Sequence, residues 1–241
     1  MKGYLDIHSH ILPGIDDGSK SMDMTIQMLM QAYEEGVRYM MATPHFYPGH
    51  KNAEQSYVEL VFLEVCEEAE RFFPDMTLCL GNEIYYKDEV IELLEKKQIQ
   101  TMNGTRYVLV EFNAGMEYKK IAQAVRKFTM KGYYPILAHV ERYAALYKRA
   151  DLVEELIHMG AYIQINAETL MGGVFDGYRK YCMKLIAEGN VHFLGSDCHN
   201  TVGRRAIMEK AVRILKKKTD RDILEKLLVS NPEKFLKGEF I

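Results

Sequence analysis

The sequence predicts an α/β fold in which a parallel β-barrel is surrounded by helices. Seven short apolar runs, rich in β-branched or aromatic residues, recur along the chain as buried parallel strands do. Amphipathic stretches fill the gaps, so that strand and helix alternate at intervals of roughly thirty residues. At 241 residues, the chain also falls in the range where α/β barrels form one domain. We therefore expect residues 1–241 to form a single domain.

The strands are predicted first, because their C-terminal ends define the mouth of a parallel barrel. The seven runs are GYLDI (3–7), VRYMMAT (37–43), MTLCLG (76–81), YVLVEF (107–112), YPILAH (134–139), AYIQIN (161–166) and VHFLGS (191–196). Active sites of such barrels are assembled from residues at the C-terminal ends of the strands. Functional side chains are therefore expected just after these runs.

Helices are predicted between the strands. The first covers residues 21–35, with Ser21 as a plausible N-cap and Gly36 after the last turn. A separate last helix is expected to begin near Asn231, with Pro232 in the first helical position. This last helix covers 232–237, and the other predicted helices are 53–72, 87–97, 117–131, 151–159, 177–189, 201–216 and about 219–229.

Composition excludes several classes of protein. A net charge of -3 gives no attraction to nucleic acid or anionic lipid. No apolar run approaches the ~18–20 residues that span a membrane, and the start MKGYLDIHSH lacks the apolar core of a signal peptide. The four cysteines show no paired spacing, as in reduced cytosolic proteins. We expect a cytoplasmic protein without membrane insertion or a nucleic-acid partner; its oligomeric state is left open.

Candidate metal ligands follow the predicted strands. Imidazole and carboxylate groups suit zinc, manganese or iron, and no cysteine cluster indicates a structural zinc site. A single histidine at a strand end is usually only solvated or hydrogen-bonded, but here the whole set occurs at strand ends. The candidates are His8, His10, Asp16, Asp17, His45, Glu83, Glu111, His139, Asp197 and His199.

Two short motifs strengthen the metal prediction. In HSH and DCH, residues two apart project to the same side of an extended segment, so each pair can reach one metal region. Asp17, Glu83, Glu111 and Asp197 would bring four clustered negative charges that repel one another without cations. Three divalent ions would leave an excess of about two positive charges, which suits a phosphate dianion.

Other side chains could complete a phosphate site. Arg142 and Arg204 follow His139 and His199, and their planar guanidinium groups could hold phosphate oxygens. Tyr85, Tyr86 and Tyr143 could form the wall of an aromatic pocket, although packing explains any one of them equally well. His50, His158 and His192 are interpreted as structural or exposed.

The segment from Cys198 to Arg204 offers an alternative, because it matches the Cys-x5-Arg loop of thiol-dependent phosphatases. Such a loop needs a thiol of lowered pKa inside a cradle of backbone N–H groups. In an extended segment, however, the Cys198 side chain should point away from Asp197 and His199. Arg205 also stands where these phosphatases usually have Ser or Thr.

Taken in order, these motifs resemble the polymerase-and-histidinol-phosphatase (PHP) superfamily. The closer resemblance is to the bacterial capsular and exopolysaccharide tyrosine-protein phosphatases of the CpsB/YwqE type. The resemblance spans essentially the whole chain and rests on DIHSHILPGIDDGSKS, ATPHF, GNEIYY, VEF, AHVERY and SDCHNTVGR. It implies a distorted (β/α)7 TIM-like barrel with two or three divalent ions, manganese first, with iron, zinc or cobalt as alternatives.

The resemblance also implies roles for individual residues. His8, His10, Glu83 and Asp197 would hold the first metal. Glu83 would bridge to a second, completed by Glu111 and His139, and Asp17, His45 and His199 would hold a third. Arg142 and Arg204 would bind phosphate, with Asp17 and His199 also counted among the catalytic residues.

The implied activity is hydrolysis of phosphotyrosine on the tail of a bacterial tyrosine kinase that regulates polysaccharide export. The general acid stays open between Asp16, Asp17 and His199. Alternatives are a PHP phosphatase for a small molecule such as histidinol phosphate, a nuclease-like domain, and a non-catalytic metal-binding module.

Overall fold

A computed structural model describes residues 2–173 and 175–241. Met1, the first residue of the predicted 1–241 domain, and Val174 lie outside this description. The strands are β1 (Tyr4–Ser9), β2 (Val37–Ala42), β3 (His45–Phe46), β4 (Thr77–Leu80), β5 (Glu83–Tyr85), β6 (Tyr107–Glu111), β7 (Tyr134–Leu137), β8 (Tyr162–Asn166) and β9 (Phe193–Gly195).

All strand pairings are parallel, in the orders β1-β2-β4 and β3-β5-β6-β7-β8-β9. Two predicted strands, 37–43 and 76–81, are each followed by a short strand that the sequence did not predict, β3 and β5. Pro44, which has no N–H for the ladder, lies between β2 and β3, and Gly81 and Asn82 separate β4 from β5. The strands of the described residues thus occupy seven positions, and β3 places His45 beside Glu83 in register.

The last strand position returns to the first. The Asp197 N–H donates to the His8 carbonyl at 2.8 Å, and the His10 N–H donates to the Cys198 carbonyl at 2.9 Å. Ser9 and Cys198 form an isolated parallel bridge. The curled sheet therefore brings the ends of β1 and β9 together, and the prediction of an α/β fold with a distorted parallel barrel is confirmed.

Helices follow most strands, as predicted. They are α1 (Met22–Glu34), α2 (Gln55–Phe72), α3 (Val90–Glu95), α4 (Tyr118–Met130), α5 (Ala150–His158), α6 (Gly177–Ala187), α7 (Glu209–Lys218), α8 (Arg221–Glu225) and α9 (Asn231–Leu236). The Ser21 hydroxyl caps α1 by accepting from the Met24 N–H at 3.2 Å, as the sequence indicates. Among the described residues, no helix is long and apolar enough to cross a membrane.

The predicted helix 201–216 is wrong at its start, because α7 begins only at Glu209. Asn200 explains the difference. Its side-chain oxygen accepts from the backbone N–H groups of Val202, Gly203 and Arg204 at 2.8–3.1 Å. An Asn side chain that competes for backbone N–H groups favours a turn over a helix. Arg204 therefore lies in a loop after β9.

The prediction of a last helix that begins near Asn231, with Pro232 in its first turn, is confirmed, but no break separates this helix from α8. A π-helical segment, Lys226–Ser230, joins α8 to α9 without a break, and Asn231 has helical dihedral angles. Pro232 lacks an N–H and would collide with the carbonyl of an α-helical turn before it. The wider π turn just upstream accommodates this proline, so the helical run continues.

Two buried clusters stabilise the fold. The larger one fills the space between the sheet and the helices. The smaller one lies inside the barrel and includes Tyr107, Phe193 and Phe235, whose ring centroids are 5.2–6.4 Å apart. Tyr107 begins β6, so this cluster closes the N-terminal end of the barrel. The opposite end of the barrel, at the C-terminal ends of the strands, is therefore available to polar side chains.

His192 makes the stability of the fold depend on pH. Burial lowers its pKa to about 4, and its Nδ1 accepts from the Ile163 N–H at 3.1 Å, which requires a neutral ring. The unfolded histidine binds a proton near pH ~6.5, so stability should fall as pH drops from there towards 4, by roughly 2–3 kcal/mol. In denaturant titrations at pH 4–7.5, the free energy of unfolding should fall less towards acid pH in His192→Gln than in the wild-type protein. The same pH dependence in both proteins would contradict this. His50→Gln, at an exposed histidine, is the control and should behave as wild type.

Candidate metal centre

β1 delivers two buried histidines to the barrel mouth. His8 belongs to the strand and His10 follows it, so residues two apart face the same side. Their Nε2 atoms lie only 3.1 Å apart. Donor atoms that bind one metal at about 2.0–2.1 Å lie about 3.0–3.4 Å from one another. This close approach of two ring nitrogens fits a shared cation.

Glu83 is the carboxylate at the centre of the site. It begins β5 and is almost completely buried. Its Oε2 lies 3.1 Å from His8 Nε2, 3.2 Å from His10 Nε2 and 2.9 Å from His45 Nδ1, and its Oε1 lies 2.9 Å from His139 Nε2. Burial by itself would raise the pKa of Glu83, but the facing imidazoles hold it well below its usual value.

The predicted ligands form four overlapping groups within the described residues. Inside each group, one donor atom per residue lies within 4.8 Å of every other. The groups are His10, Asp17, His45 and His199; His8, His10 and Asp197; His8, Glu83 and His139; and His45, Glu83 and Glu111. All nine residues predicted as ligands therefore converge at one place. Glu111 groups with His45, whereas the resemblance placed it with His139, whose Nε2 lies 3.7 Å from Glu111 Oε1.

The chemistry of the cluster fits divalent ions. Several buried polar atoms of the cluster make no hydrogen bond of good geometry among the described residues, although Glu83 Oε2 and His45 Nδ1 lie 2.9 Å apart: Glu83 Oε2, His45 Nδ1, His139 Nδ1 and His199 Nε2. Unsatisfied buried polar atoms are costly and require an explanation. Imidazole nitrogens and carboxylate oxygens are the donors that zinc, manganese and iron prefer.

Asp17 lies at the outer rim of the cluster, and its side chain is largely exposed. Its Oδ1 lies 3.5 Å from His45 Nε2 and 3.4 Å from His199 Nε2.

Asp16 has a different role from the one considered for it in sequence. Its Oδ2 lies 2.7 Å from His10 Nδ1 and accepts from the His45 N–H at 3.0 Å, and its Oδ1 accepts from the Gly18 N–H. Burial alone would raise the pKa of Asp16, but the bond with His10 lowers it strongly. Both oxygens of Asp16 thus have partners, and the residue orients His10, which argues against a role as the general acid. A Cβ at Gly18 would lie 2.1 Å from the His10 carbonyl oxygen, so this turn requires glycine.

Asp197 links the cluster to both predicted arginines. Its Oδ2 accepts from Arg142 Nη2 and its Oδ1 accepts from Arg204 Nη2, each at 2.8 Å. The arginine side chains are 46% and 42% exposed, whereas Asp197 is buried. The guanidinium groups therefore stand at the rim with donors left for an anion from solvent. Burial alone would raise the pKa of Asp197, but the adjacent imidazoles, His8 first, lower it strongly.

The aromatic rim differs from the one considered in sequence. Tyr143 is buried, and its hydroxyl accepts from the Phe112 N–H, so it does not line an open wall. Tyr86 is also largely buried. Tyr47, which sequence reasoning missed, has its ring centroid 5.0 Å from that of His45, with the ring planes tilted by 35°, and the ring centroid of Tyr85 lies 5.4 Å from that of Tyr47. The pair Tyr47 and Tyr85 therefore borders the cluster.

Two amides on β8 were also missed, Gln164 and Asn166. Gln164 Oε1 lies 3.3 Å from His8 Nδ1, and Asn166 Nδ2 donates to Asp197 Oδ2 at 2.9 Å. A signal was present in the sequence, since the strand AYIQIN carries two amides at alternate positions of an otherwise apolar run. Alternate positions share one face of a strand, and buried amides need partners there.

Thiol catalysis at Cys198 does not fit the structure. The side chain is completely buried and packs in the apolar cluster between sheet and helices. Burial raises the pKa of this thiol strongly, whereas a nucleophile needs an accessible thiolate. Cys198→Ala should keep the hydrolytic activity expected from the sequence within about threefold of wild type, with a stability loss of about 1 kcal/mol for the missing atom. Steady-state kinetics would contradict this if the folded, metal-loaded variant were inactive.

The chain matches the family model described as capsular polysaccharide synthesis, CpsB/CapC, over residues 4–237. It is 36% identical to the tyrosine-protein phosphatase CpsB of Streptococcus pneumoniae, over 98% of this chain and 100% of that protein. It also superposes with a TM-score of 0.90 on a structure from the set of YwqE from Bacillus subtilis and CpsB from Streptococcus pneumoniae, described as metal-dependent tyrosine phosphatases. That match has 29% identity and covers 98% of this chain and 96% of the other.

A more distant solved structure shares the fold alone. The phosphotriesterase homology protein from Escherichia coli is 12% identical, with a TM-score of 0.65, and the match covers 98% of this chain and 99% of the other. Parallel barrels of this kind assemble their sites at the C-terminal ends of the strands, which is where the nine converging side chains lie.

Proposed function

The chain belongs to the CpsB/CapC family, and from this we propose that it is a metal-dependent protein-tyrosine phosphatase. The family match confirms the resemblance that its motifs predicted. The observation that supports catalysis most directly is the set of buried imidazoles arranged around Glu83, with two half-exposed arginines at its rim. The whole chain, residues 1–241, would act as one catalytic domain.

We propose that nine side chains hold two or three divalent ions, with manganese the first choice. They are His8, His10, Asp17, His45, Glu83, Glu111, His139, Asp197 and His199. When bound, such ions lower the pKa of water and neutralise negative charge on a phosphoryl group. Glu83 would contribute to more than one ion, because each of its oxygens faces a different set of imidazoles.

The residues of the chain orient the phosphate ester. Arg142 and Arg204 are held by the two oxygens of one carboxylate, so their donors point into the mouth from fixed positions and can bind equatorial phosphate oxygens. Tyr47 and Tyr85 offer faces against which a phenyl ring can pack. This arrangement supports a phosphorylated aromatic substrate.

Hydrolysis in this site needs one new bond and one broken bond. The oxygen of water bonds to phosphorus, and the bond from phosphorus to the phenolic oxygen breaks in line. Phenolate has a pKa near ~10 and leaves more readily than an alkoxide, so it requires little help from an acid. Water gives up one proton and the phenolate oxygen takes one up. Asp17 is largely exposed and keeps a second carboxylate oxygen for this transfer beside its proposed ion contact, and His199, 3.4 Å from Asp17, is the other candidate.

The physiological substrate is proposed to be the phosphotyrosine-bearing tail of a bacterial tyrosine kinase in a capsule or exopolysaccharide system, with the phosphatase in the cytoplasm. The first rival is hydrolysis of a small phosphate such as histidinol phosphate. A nuclease-like role has no basic surface stripe to support it in the sequence.

Substrate selectivity tests this function. The metal-loaded protein should hydrolyse a phosphotyrosyl peptide with a kcat/KM at least about 100-fold above that for histidinol phosphate. The phenyl ring packs against the tyrosines and its phenolate leaves more readily than the alkoxide of histidinol, and together these effects should lower the barrier by roughly 3 kcal/mol. Phosphate release on both substrates measures this, with phosphoseryl peptide and single-stranded DNA as further comparisons. Greater activity on histidinol phosphate would favour the rival.

A further inference from the structure

Gln164 and Asn166 connect three of the converging residues, the side chains of His8 and Asp197 and the backbone of His139, through one series of hydrogen bonds. Gln164 Oε1 accepts from the His139 N–H at 2.7 Å and lies 3.3 Å from His8 Nδ1. Gln164 Nε2 donates to Asn166 Oδ1 at 2.9 Å, and Asn166 Nδ2 donates to Asp197 Oδ2 at 2.9 Å. Both amides are buried. These bonds link neighbouring strand positions at one side of the barrel mouth, from the end of β7 through β8 to the end of β9 and to β1.

Asp197 is the last acceptor in this series of hydrogen bonds, and its ionised state fixes the direction of every bond in the series. An ionised carboxylate only accepts, so Asn166 must present its NH2 group to Asp197 and its oxygen to Gln164. Gln164 must then donate to Asn166 and present its own oxygen to His8. His8 therefore carries a proton on Nδ1, and Nε2, 3.1 Å from Glu83 Oε2, is the nitrogen left to share a divalent ion with that carboxylate.

The same two amides hold the two converging residues with left-handed backbones. His139 has φ 33° and Asp197 has φ 54°. Residues other than glycine in such conformations cost roughly 1–3 kcal/mol each and persist only where surrounding contacts hold them. Gln164 binds the backbone N–H of His139, and Asn166 binds the side chain of Asp197. Each strained residue therefore has one amide of β8 as a partner.

Gly195 leaves the space that this arrangement needs. It pairs with Asn166 between β9 and β8. A Cβ at this position would lie 2.7 Å from His8 Cβ and 2.9 Å from Gln164 Nε2. A methyl group here would displace the ring and the amide together, although it removes no hydrogen-bonding group.

We propose that Gln164 and Asn166 are positioning residues that fix the tautomer of His8 and the placement of His139 and Asp197, and so set the affinity for divalent ions. The inference rests on the proposed function insofar as it takes these three residues as ligands. Groups that orient metal ligands typically contribute 10–100-fold to metal affinity.

Calorimetric titration of the metal-free protein with Mn²⁺ and with Zn²⁺ tests the proposal. Gln164→Met, Asn166→Leu and Gly195→Ala should each weaken binding about 10–100-fold. The double variant of both amides should lose less than the sum of the two single losses, because either change breaks the same chain. Affinities within about twofold of wild type for folded Gln164→Met and Asn166→Leu would overturn the proposal.

Two variants serve as matched controls. Asn231 is another buried amide, bonded through Nδ2 to the His192 carbonyl, away from the metal centre. Asn231→Ala should lower the melting temperature without changing metal affinity. At Gly173, an added Cβ would meet no atom within 4 Å, so Gly173→Ala should change neither. If Asn231→Ala lost as much metal affinity as Gln164→Met and Asn166→Leu, the losses would reflect lower stability in general, and the proposal would be contradicted.

The tautomer of His8 can be measured in the wild-type protein, so this second test needs no variant. In the protein loaded with diamagnetic Zn²⁺, ¹⁵N NMR of the imidazoles should show a proton bonded to Nδ1 of His8, with a one-bond ¹⁵N–¹H coupling and slow exchange with solvent. A proton on Nε2 would overturn the proposal. If wild type binds metal as described but hydrolyses no phosphotyrosyl peptide, the proposed function fails while this inference stands, so the two failures are distinguishable.

Discussion

Glu83→Gln is expected to abolish phosphatase activity, with a loss of kcat/KM of roughly 10³-fold or more. The change removes the negative charge that faces the rings of His8, His10, His45 and His139 at 2.9–3.2 Å. Ions held by this carboxylate would stabilise the negative charge of the transition state by several kcal/mol, and each 1.36 kcal/mol corresponds to a tenfold change in rate. Steady-state kinetics on a phosphotyrosyl peptide, together with metal analysis by mass spectrometry, measure the effect.

The matched control for this change is Glu92→Gln. Glu92 lies on α3, where its exposed carboxylate pairs with Lys96 four residues later. Exposed pairs of this kind contribute little, so activity and metal content should remain at wild-type levels. A Glu83→Gln protein that retains full metal content and more than about a tenth of wild-type activity would contradict the central position assigned to this carboxylate.

Chelation is the second large effect that we expect. Removal of divalent ions with EDTA should reduce phosphotyrosine hydrolysis to background, and Mn²⁺ should restore it more fully than Mg²⁺, because imidazole nitrogens suit transition metals better. The metal-free protein should also unfold at a lower temperature. Ions that bind the folded state at 100 times their Kd contribute about 2.7 kcal/mol per site, so scanning calorimetry should detect the loss.

The Cys198→Ala protein is the control for the chelation experiment. If the ions and not the thiol support hydrolysis, this variant should respond to EDTA and Mn²⁺ as wild type does. Inhibition by a thiol reagent but not by EDTA would be the opposite result, and it would support catalysis by the loop from Cys198 to Arg204. The complete burial of Cys198 argues against that result.

Much of the site could be predicted because its residues follow strand ends. In a parallel barrel every strand has the same direction, so side chains just after seven separate strands must meet at one mouth. His8, His45, Glu83, His139 and Asp197 were found in this way. The roles of Asp16, Tyr47 and Gln164 were not, because each depends on which atom faces a partner distant in sequence.

Periodicity and motif spacing determined the fold class, seven strand positions and the candidate ligands, because these follow from local properties of consecutive residues, but they missed the short strands β3 and β5. The tertiary structure decided how the ligands group, as with Glu111 beside His45, and which carboxylate orients a ring instead of facing the centre. It also decided that Arg204 lies in a loop and that the C-terminal helix is continuous through Pro232. These features depend on distances between segments that only folding brings together, and on bonds such as those of Asn200 that compete with local helix formation.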